Sequence, residues 1–388
     1  MPIVNRFADF HDDIVAWRRE LHQHPELQYD VAWTAAKVAE RLRSFGIDEV
    51  TTGIGRTGVV GVIRGRKTGS GKVVGLRADM DALPLSETTG KPYASTIPGK
   101  MHACGHDGHT AMLLGATRYL AETRNFDGTA VVIFQPAEEG GGGGRAMVQD
   151  GLMDRWNIQE VYGMHNMPGL PLGHFATRPG AMMAATDEFT IDISGVGGHA
   201  AKPHLTVDPI IVGTAIVQAL QTIVSRSVDP IESAVVSVTQ FHAGQVHNII
   251  AETARVSGTV RTLSPEVRDF IEGRLRTIVE SIAAAYGATV LVDYDRNYPV
   301  TRNHPAEAAF AATVASEVVG AAGVDADAPP LMGGEDFSYM LQARPGAFIL
   351  VGNGDTAGLH NPAYDFNDEA IPYGCSYWVK LVEAAMPA

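Results

Sequence analysis

Cysteine is scarce in this chain: the 388 residues include only two, Cys104 and Cys375. Two distant thiols cannot build a disulfide framework, and thiols kept free for another purpose fit a reducing compartment. The first residues, MPIVNRFADFHDD, lack a basic segment followed by an apolar core and a small-residue cleavage site, so no secretory signal is recognised. The sequence therefore predicts a cytoplasmic protein.

Positive charge and long apolar runs are also in short supply. Thirty basic residues stand against 44 acidic ones, which gives a formal net charge of −14. Such a charge repels a phosphate backbone or an anionic lipid surface, so neither nucleic acid nor a membrane is expected as a partner. No stretch comes close to the roughly 20 apolar residues of a membrane span, and the sequence predicts a soluble protein.

Core-forming residues are plentiful, since 45% of the chain is apolar and 19% is charged. A chain of 388 residues is longer than one core usually needs, which favours two domains. Helices and strands alternate in the first third, and further α/β material follows from about residue 300. The predicted helices cover 6–24, 31–45 and about 106–123, and the predicted strands cover 59–63, 72–81, 129–135 and 160–164. This alternation predicts an α/β fold with a mixed sheet covered by helices.

Residues 182–296 show a different order of elements. A strand at 182–194 and a helix at 208–227 precede two strands, a helix opened by Ser264-Pro265, and a last strand. The order βαββαβ is that of the split βαβ, ferredoxin-like unit, which is complete in itself. We therefore expect a catalytic domain over 1–181 and 297–388, with 182–296 inserted into it as a second domain.

Two glycine-rich stretches resemble phosphate-binding loops without their context. The glycines Gly53, Gly55 and Gly58 have the spacing of the dinucleotide fingerprint, but that motif requires a helix to follow, and here the strand VVGVI follows. These glycines are predicted to form a turn between strands. The run Gly140–Gly144 lacks the Lys-Ser/Thr of a phosphate loop. No nucleotide cofactor is expected.

Metal-binding and proton-transferring side chains are concentrated in five short segments. Each follows or borders a predicted apolar strand, and ligands of open α/β sheets bind where the strands end. The segments are Asp79-Met80-Asp81, the stretch HACGHDGH from His102 to His109, Glu138-Glu139, Gly163-Met-His165-Asn166 and Gly358-Leu-His360-Asn361-Pro362. They are predicted to converge in one site.

The stretch HACGHDGH is the most informative of the five. Cys104 and His106 lie two residues apart just before a predicted helix, whose N-terminal end favours a thiolate. A thiolate with imidazoles and a carboxylate suits Zn²⁺ and is tolerable for Co²⁺, Ni²⁺ or Mn²⁺. An isolated cysteine is more often a buried structural residue, but the surrounding histidines favour a metal ligand here.

The adjacent pair Glu138-Glu139 ends a strand and precedes glycines, where two carboxylates are costly to bury without a cation or a proton. One carboxylate can bind metal while the other takes a proton from the attacking water and passes it to the leaving nitrogen. A solvated acidic turn is the alternative interpretation. For His165 and His360, the sequence pattern fits a metal ligand and a structural histidine equally well.

The predicted inserted domain contains three further candidates, His199, Asn248 and Arg261. His199 lies in the tight loop GGHAAKP, and Asn248 and Arg261 flank a predicted strand. A guanidinium offers a planar fork of donors that matches a carboxylate. From these residues alone, loop and surface roles are the stronger interpretation. The segment 332–337 could serve either structure or substrate contact.

Taken in order, these segments resemble peptidase family M20, and within it the amidohydrolase subgroup of hippurate hydrolases, N-acyl-amino-acid amidohydrolases and plant auxin-conjugate hydrolases. The resemblance covers essentially the whole chain. Its most specific segments are RADMDALP (77–84), MHACGHDGH (101–109), FQPAEEGGGG (134–143), GMHNMP (163–168), GGHAAKPH (197–204) and LHNPAYDF (359–366).

The resemblance implies a metal-dependent amidohydrolase that cleaves N-acyl amino acids to a carboxylic acid and a free amino acid. It implies two divalent ions per subunit, Zn²⁺, Mn²⁺, Ni²⁺ or Co²⁺. It also implies dimerisation through the inserted domain, giving a homodimer or a homotetramer. The implied metal ligands are Cys104, His106, Glu139, His165 and His360.

The same resemblance gives roles to four other residues. Glu138 is implied to be the general base. His199 is implied to stabilise the oxyanion, across the dimer in one arrangement, while Asn248 and Arg261 hold the substrate carboxylate.

Three other functions remain open at the level of sequence. A dipeptidase or other exopeptidase would use the same two-metal site and differ in requiring a free amine on the acyl group. A catalytically silent metal-binding dimer would leave Glu138 without a purpose. A cysteine hydrolase with Cys104 as nucleophile would act without metal.

The chain departs from the wider family at one motif. Many relatives have His-x-Asp where this chain has Asp79-Met80-Asp81, and an aspartate that bridges the metals near the Cys104–His106 segment. The resemblance therefore leaves the roles of Asp79 and Asp81 open, and neither is expected to be a ligand.

Overall fold

The computed structural model describes residues 3–388 and has a mixed α/β architecture, which confirms the predicted class. A π-helical turn over Ile223–Ser227 continues the sixth helix. The α-helices are α1 (Arg6–Gln23), α2 (Ala32–Ser44), α3 (His106–Thr123), α4 (Gly143–Gln149), α5 (Leu152–Arg155), α6 (Pro209–Thr222), α7 (Pro265–Tyr286), α8 (Pro305–Val319), α9 (Ser338–Ala343) and α10 (Ile371–Ala385).

The strands within residues 3–388 outnumber the α-helices. They are β1 (Glu49–Ile54), β2 (Gly58–Arg64), β3 (Val73–Asp79), β4 (Thr129–Gln135), β5 (Glu160–Pro168), β6 (Phe175–Ala176), β7 (Gly180–Met183), β8 (Ala185–Ser194), β9 (Gly198–His199), β10 (Ala234–Ala243), β11 (Ile249–Ile250), β12 (Thr253–Thr262), β13 (Thr289–Arg296), β14 (Thr301–Asn303), β15 (Val324–Asp325) and β16 (Gly346–Gly354).

The first of two compact units comprises the residues up to Met182, Arg302–Pro329 and Asp336–Ala388. Its eight-stranded sheet has the order β1-β2-β4-β3-β5-β16-β6-β15. The neighbours β4, β3, β5 and β16 run parallel, and every residue of β3 is buried, as expected for a strand covered on both faces. Helices α1 and α10 pack against α3, and α3 packs on β3.

The four parallel strands end at one edge of this sheet. Their last residues are Asp79 in β3, Gln135 in β4, Pro168 in β5 and Gly354 in β16. Because carboxyl ends of parallel strands share an edge, the segments that follow them lie close together. This topology positions the candidate site.

The glycines with dinucleotide-fingerprint spacing lie in a β-hairpin, as the sequence predicts. Strands β1 and β2 are antiparallel, and the register shifts between Thr52 and Ile54. Gly53 and Gly55 have φ angles of 87° and 57°, in the left-handed region that glycine adopts without a steric penalty. The next element is the strand β2.

The second unit comprises Met183–Thr301 and Pro330–Glu335. Its elements follow in the order β8-α6-β10-β12-α7-β13, and its antiparallel sheet has the strand order β10-β12-β8-β13. Burial alternates along β8, so that one face packs against the helices. The segment Pro330–Glu335 joins this unit because the N–H of Ala184 donates to the carbonyls of Leu331 and Gly333, at 3.0 and 2.9 Å.

Local signals explain where the two helices of this unit begin. The Asp208 carboxylate accepts a hydrogen bond from Ile210 N at 2.9 Å, and the Ser264 hydroxyl accepts one from Val267 N at 3.3 Å. Each cap is followed by a proline at the first helical position, where no N–H is needed. Gly287 ends α7 at a φ of 76°.

One helical stretch, Pro209–Ser227, is long and apolar enough to cross a membrane by length and composition. The sequence-based expectation that no stretch reaches that length is therefore wrong. A single such helix is weak evidence for a membrane span, since core helices of other proteins share these features. Here Val212, Ile216 and Leu220 recur at helical spacing and are buried, which is typical of a helix lying on a sheet.

Candidate metal centre

The carboxyl edge of the parallel strands brings all five predicted ligands of the first unit together. Cys104 and His106 lie at the start of α3, where Gly105 adopts a φ of 88° between them. Glu139 follows β4, His165 lies in β5, and His360 lies in the loop after β16. A single turn therefore presents both Cys104 and His106.

Among residues 3–388, five groups of three side chains have ligand atoms within 4.8 Å of one another and could hold a cation, and two of these groups consist only of predicted ligands. The first group is Cys104, His106 and His165, with the Cys104 Sγ and His165 Nε2 atoms 3.4 Å apart. The second is Cys104, Glu139 and His360, with His360 Nε2 3.2 Å from Glu139 Oε1. Cys104 belongs to both groups, which is the arrangement expected of a ligand shared by two ions.

The chemistry of these atoms fits divalent cations. The Nδ1 atom of His106 lies 2.8 Å from the carbonyl of Asp81, while its buried Nε2 atom has no hydrogen-bond partner among residues 3–388. A buried imidazole nitrogen without a partner is costly unless a cation or proton occupies its lone pair. Thiolate, imidazole and carboxylate together form a borderline-soft set. Two divalent ions therefore suit this site.

The proton affinities of two proposed ligands, His360 and Cys104, are shifted by their surroundings. Hydrogen bonds to Cys104 and Glu139 raise the pKa of His360 to about 10. Burial raises the pKa of the Cys104 thiol. Protons and metal ions compete for the same ligand atoms, so binding of cations at this site is expected to release protons.

Glu138 lies beside both groups and is 7% exposed. Its carboxylate also falls within the 4.8 Å limit of His106 and Glu139. The backbone before it is strained, since Ala137 has a φ of 54°, and the N–H of Ala137 donates to the carbonyl of Gln28 at 3.1 Å. The surrounding contacts thus hold Glu138 in an unusual turn.

Asp81, whose role the sequence left open, supports that turn. Its two carboxylate oxygens accept hydrogen bonds from the backbone N–H groups of Glu138 and Glu139, at 3.0 and 3.1 Å. Burial raises the pKa of the Asp81 carboxyl group, and this effect outweighs the hydrogen bond to His106, which lowers the pKa. Both oxygens of Asp81 are engaged with the backbone of the turn.

Asp79 belongs to a buried ionic network beneath the site. Arg77 Nη1 donates to Asp79 Oδ2 at 2.8 Å, and Arg77 Nη2 donates to Asp336 Oδ1 at 3.1 Å. His109 Nδ1 lies 2.6 Å from Asp79 Oδ1. Burial alone would raise the pKa of Asp79, but the charges of His106 and Arg77 and the hydrogen bond from His109 outweigh it and hold the pKa well below its usual range.

Several residues of the site received no role from the sequence. They are Arg77, His109, Asn166 and Tyr364. His109 and Asn166 are neighbours of predicted ligands, and that position was the available signal. Arg77 and Tyr364 act through contacts between distant segments, such as the 2.8 Å hydrogen bond from the Tyr364 hydroxyl to Asn166 Oδ1.

The three candidates of the second unit lie in β9 (His199), in the turn before β11 (Asn248) and on β12 (Arg261). His199 pairs with Ile249 between β9 and β11, and the N–H of Ala200 donates to the carbonyl of Asn248 at 3.1 Å, so His199 and Asn248 are neighbours. Both are exposed. Arg261 is half-buried on β12 and donates to the carbonyl of Val260 at 3.0 Å.

Comparison with known proteins identifies relatives along almost the whole chain. The model of peptidase family M20/M25/M40 matches residues 75–384. A hippurate hydrolase from Campylobacter jejuni is 42% identical over 381 residues, 98% of each chain. An N-acetylcysteine deacetylase from Bacillus subtilis is 38% identical over 96% of each chain. A thermostable carboxypeptidase from Saccharolobus solfataricus is 41% identical over 90% of this chain and 88% of its own.

A solved structure shows the same fold. It is a dinuclear metal-binding peptidase of the M20 family from Bacillus subtilis, 34% identical to this chain. It superposes with a TM-score of 0.85 over 98% of this chain and 99% of its own. The dinuclear metal binding of that peptidase agrees with the two ligand groups that share Cys104 in this chain.

Proposed function

This chain belongs to peptidase family M20/M25/M40, and we propose that it hydrolyses the amide bond of N-acyl amino acids to a carboxylic acid and a free amino acid. It is a metal-dependent amidohydrolase that acts on a small-molecule amide. The relatives named for hippurate and N-acetylcysteine support an acylated amino acid as the substrate class.

The observation that carries this proposal is the pair of ligand groups that share Cys104. We assign Cys104, His106 and His165 to one ion and Cys104, Glu139 and His360 to the other. Zn²⁺, Mn²⁺, Ni²⁺ and Co²⁺ are the ions that this set suits. Bound there, two divalent ions would lower the pKa of a water molecule and polarise the acyl carbonyl.

Glu138 is assigned as the general base. Its carboxylate lies beside the ligands without being needed in either group of three, and Asp81 holds its backbone. In this position it takes a proton from the attacking water and delivers it to the leaving nitrogen. The amino acid leaves as a neutral amine only if that proton is supplied.

His199 is assigned to stabilise the oxyanion. The backbone N–H of Ala201 donates to His199 Nδ1 at 3.0 Å, so in the neutral ring the proton is on Nε2. An exposed histidine with a free Nε2–H is a suitable hydrogen-bond donor for the oxygen of a tetrahedral intermediate. Asn248 and Arg261 are assigned to the substrate carboxylate, for which a guanidinium is well matched.

The second unit is proposed to be an inserted ferredoxin-like domain over 182–296 that mediates dimerisation, giving a homodimer or a homotetramer. The order βαββαβ and the antiparallel sheet support the fold. Exposed apolar side chains on this unit, among them Ile231 at 89%, Leu291 at 69% and Leu205 at 66%, support a protein interface. His199 would then serve the site of the other subunit. A cytoplasmic location completes the proposal.

The first test measures release of free amino acid from N-benzoyl, N-acetyl and indole-acetyl amino acids. The protein is assayed as purified, after chelation, and after addition of Zn²⁺, Mn²⁺, Co²⁺ or Ni²⁺. We expect activity that disappears on chelation and returns with metal. Activity that resists chelation would instead support Cys104 as a nucleophile.

A carboxypeptidase or dipeptidase activity is the second candidate, and the 41% identity to a thermostable carboxypeptidase favours it. Matched substrates that share the leaving amino acid separate the two. One carries an N-acyl group and the other an aminoacyl group with a free amine. Faster cleavage of the free-amine substrate would replace the first proposal with the second.

A further inference from the structure

Asn166 connects the two segments that carry Cys104 and His165. It follows His165 directly in β5, and its side-chain Nδ2 donates to the carbonyl of Cys104 at 2.6 Å. The Tyr364 hydroxyl donates to Asn166 Oδ1 at 2.8 Å, which fixes which end of the amide faces Cys104. One buried side chain thus ties the ligand turn before α3 to the ligand strand β5.

His109 holds Asn166 from the other side. The backbone N–H of Asn166 donates to His109 Nε2 at 2.9 Å, and the Asn166 Nδ2 atom lies 3.0 Å from the same nitrogen. Because a backbone N–H can only donate, Nε2 is unprotonated and the proton of the neutral ring is on Nδ1. That Nδ1–H donates to Asp79 Oδ1 at 2.6 Å.

These hydrogen bonds exclude His109 as a metal ligand. Asp79, His106 and His109 also satisfy the 4.8 Å distance for a cation group. Both ring nitrogens of His109 are nevertheless occupied, Nδ1 by Asp79 and Nε2 by Asn166. The imidazole of His109 instead packs edge-on against His165, with ring centroids 4.4 Å apart.

Asp79 gives this chain of contacts a rigid base. It is the last residue of the buried strand β3, and Arg77 two residues earlier binds its other oxygen at 2.8 Å. Arg77 also donates to Gln135 Oε1 in β4 at 2.9 Å. The position of His109 is therefore set by two adjacent strands of the central sheet.

We propose that His109 and Asn166 are positioning residues: Asp79 fixes the tautomer of His109, His109 holds Asn166, and Asn166 sets the separation of Cys104 and His165. This inference rests on the proposed metal centre and deepens it. The pair would act on an ion held by Cys104, His106 and His165 through the positions of these ligands. Contacts of this kind around metal ligands contribute to affinity by fixing ligand geometry.

Two substitutions separate the contacts of His109. His109→Gln places an amide oxygen near the former Nε2 position, where it can accept from Asn166. His109→Asn places its amide near the former Nδ1 position, so it can donate to Asp79 but cannot reach Asn166. Thr110→Val is the matched control, because it removes the buried hydrogen bond from Thr110 Oγ1 to the carbonyl of Asp79, at 2.8 Å, and leaves Asn166 untouched.

The readout is metal binding to the metal-free protein. Zn²⁺ affinity is measured by competition with a chromophoric chelator, and Co²⁺ is added to follow the thiolate-to-metal absorption of Cys104. We expect His109→Asn to weaken Zn²⁺ binding about 10- to 100-fold, the range for residues that orient metal ligands. His109→Gln is expected to retain most of the affinity. Thr110→Val should lower the melting temperature of the metal-free protein but leave Zn²⁺ affinity unchanged.

Two results would overturn the inference. One is wild-type Zn²⁺ affinity in His109→Asn, and the other is an equal loss in Thr110→Val, which would make the effect one of general packing. If His109→Asn does not fold, Tyr364→Phe gives the same decision, because it removes only the hydroxyl that orients Asn166. Tyr364→Phe must then shift the Co²⁺ absorption and weaken Zn²⁺ binding, and unchanged values reject the proposal.

The metal assay is independent of the substrate. A wild-type protein that binds two ions but cleaves no N-acyl amino acid would contradict the proposed function and leave this inference standing. Normal hydrolysis of N-acyl amino acids by wild type, together with unaltered metal binding in the His109 and Tyr364 variants, would support the proposed function and contradict this inference.

Discussion

The carboxylate of Asp81 binds the backbone of Glu138: Asp81 Oδ1 accepts from Glu138 N at 3.0 Å, while Oδ2 accepts from Glu139 N at 3.1 Å. This one side chain joins the end of β3 to the turn after β4. The turn carries both the proposed base and a proposed ligand. Its geometry therefore depends on the carboxylate of Asp81.

Asp81→Asn is expected to lower kcat about 10- to 100-fold, because the amide keeps only one acceptor oxygen and turns an NH2 group toward the other backbone N–H, which then lacks an acceptor. Metal content and substrate KM are measured beside kcat. Glu26→Gln is the control, since the Glu26 carboxylate also accepts from two successive backbone amides, Trp33 N at 3.2 Å and Thr34 N at 2.8 Å. An equal loss of kcat in Glu26→Gln would contradict the role of Asp81.

Glu138→Gln is expected to preserve folding and metal content while lowering kcat about 10²- to 10⁴-fold, the usual contribution of a general base. The amide keeps the shape of the side chain but cannot accept the proton. Metal per chain is measured together with steady-state kinetics. Glu139→Gln is the contrasting variant, which should lose bound metal. Near-normal kcat in Glu138→Gln would remove this residue from the mechanism.

Gly105→Ala tests how closely the ligand turn approaches Asn166. A Cβ at Gly105 would overlap Asn166 Nδ2 and the Tyr364 hydroxyl, and it would occupy a φ of 88°. We expect lower thermal stability and weaker Zn²⁺ binding. Gly99→Ala is the control, because Gly99 has a φ of 75° with no atom within 4 Å of its added Cβ. Its cost should be strain alone, about 1 kcal/mol. Equal effects of the two substitutions would show that the overlap is unimportant.

Arg261→Ala tests the proposed carboxylate contact. Loss of a charge-assisted hydrogen bond of about 1.5 to 3 kcal/mol corresponds to a rise in KM of roughly 10- to 100-fold for a substrate with a free carboxylate. The matching substrate with an amidated carboxyl group should be insensitive. Arg255→Ala is the control on the same strand, since Arg255 is exposed and paired with Asp192 at 2.6 Å. Unchanged KM in Arg261→Ala would remove this role.

The sequence located the ligand segments but left their supports unassigned. Strand-end position and residue chemistry were sufficient to single out Cys104 and the pair Glu138-Glu139, while the choice of Glu139 as the ligand came from the resemblance to the family. The contact between Asn166 and Tyr364 joins residues 198 positions apart, so no local pattern reveals it. The contacts of Asp79 and Asp81 depended in the same way on distant partners, in α3 for Asp79 and in the turn after β4 for Asp81.

The fold, like the site, has features that local sequence patterns predict and others that they do not. The predicted helix at 208–227 begins where Asp208 and Pro209 indicate, because a cap and a first-turn proline are local signals. Its last five residues, Ile223–Ser227, form a π-helical turn instead, and no local sequence pattern predicted this turn. The predicted strand at 182–194 is divided into β7 and β8, with Ala184 between them bonded to Leu331 and Gly333.

A buried ion pair between His22 of α1 and Asp107 of α3 makes the stability of the fold depend on pH. His22 Nδ1 lies 2.8 Å from Asp107 Oδ2, and His22 Nε2 lies 3.3 Å from Glu87 Oε2. Burial alone would lower the pKa of His22, but the charge of Asp107 and the hydrogen bonds to Asp107 and Glu87 outweigh it and raise the pKa to about 9. The unfolded chain has a histidine pKa near 6.5.

Because the folded pKa exceeds the unfolded one, the stabilisation from His22 is fully present below about pH 6.5 and is lost as the pH rises through about 9. His22→Gln removes this dependence. The difference in unfolding free energy between wild type and His22→Gln should therefore shrink by about 3 kcal/mol from pH 6 to pH 9.5. It is measured by urea unfolding of metal-free protein, so that metal binding does not titrate in parallel. His204→Gln, at an exposed position, should leave the pH profile of wild type unchanged. A constant difference between wild type and His22→Gln across this range would show that His22 is not protonated in the folded protein.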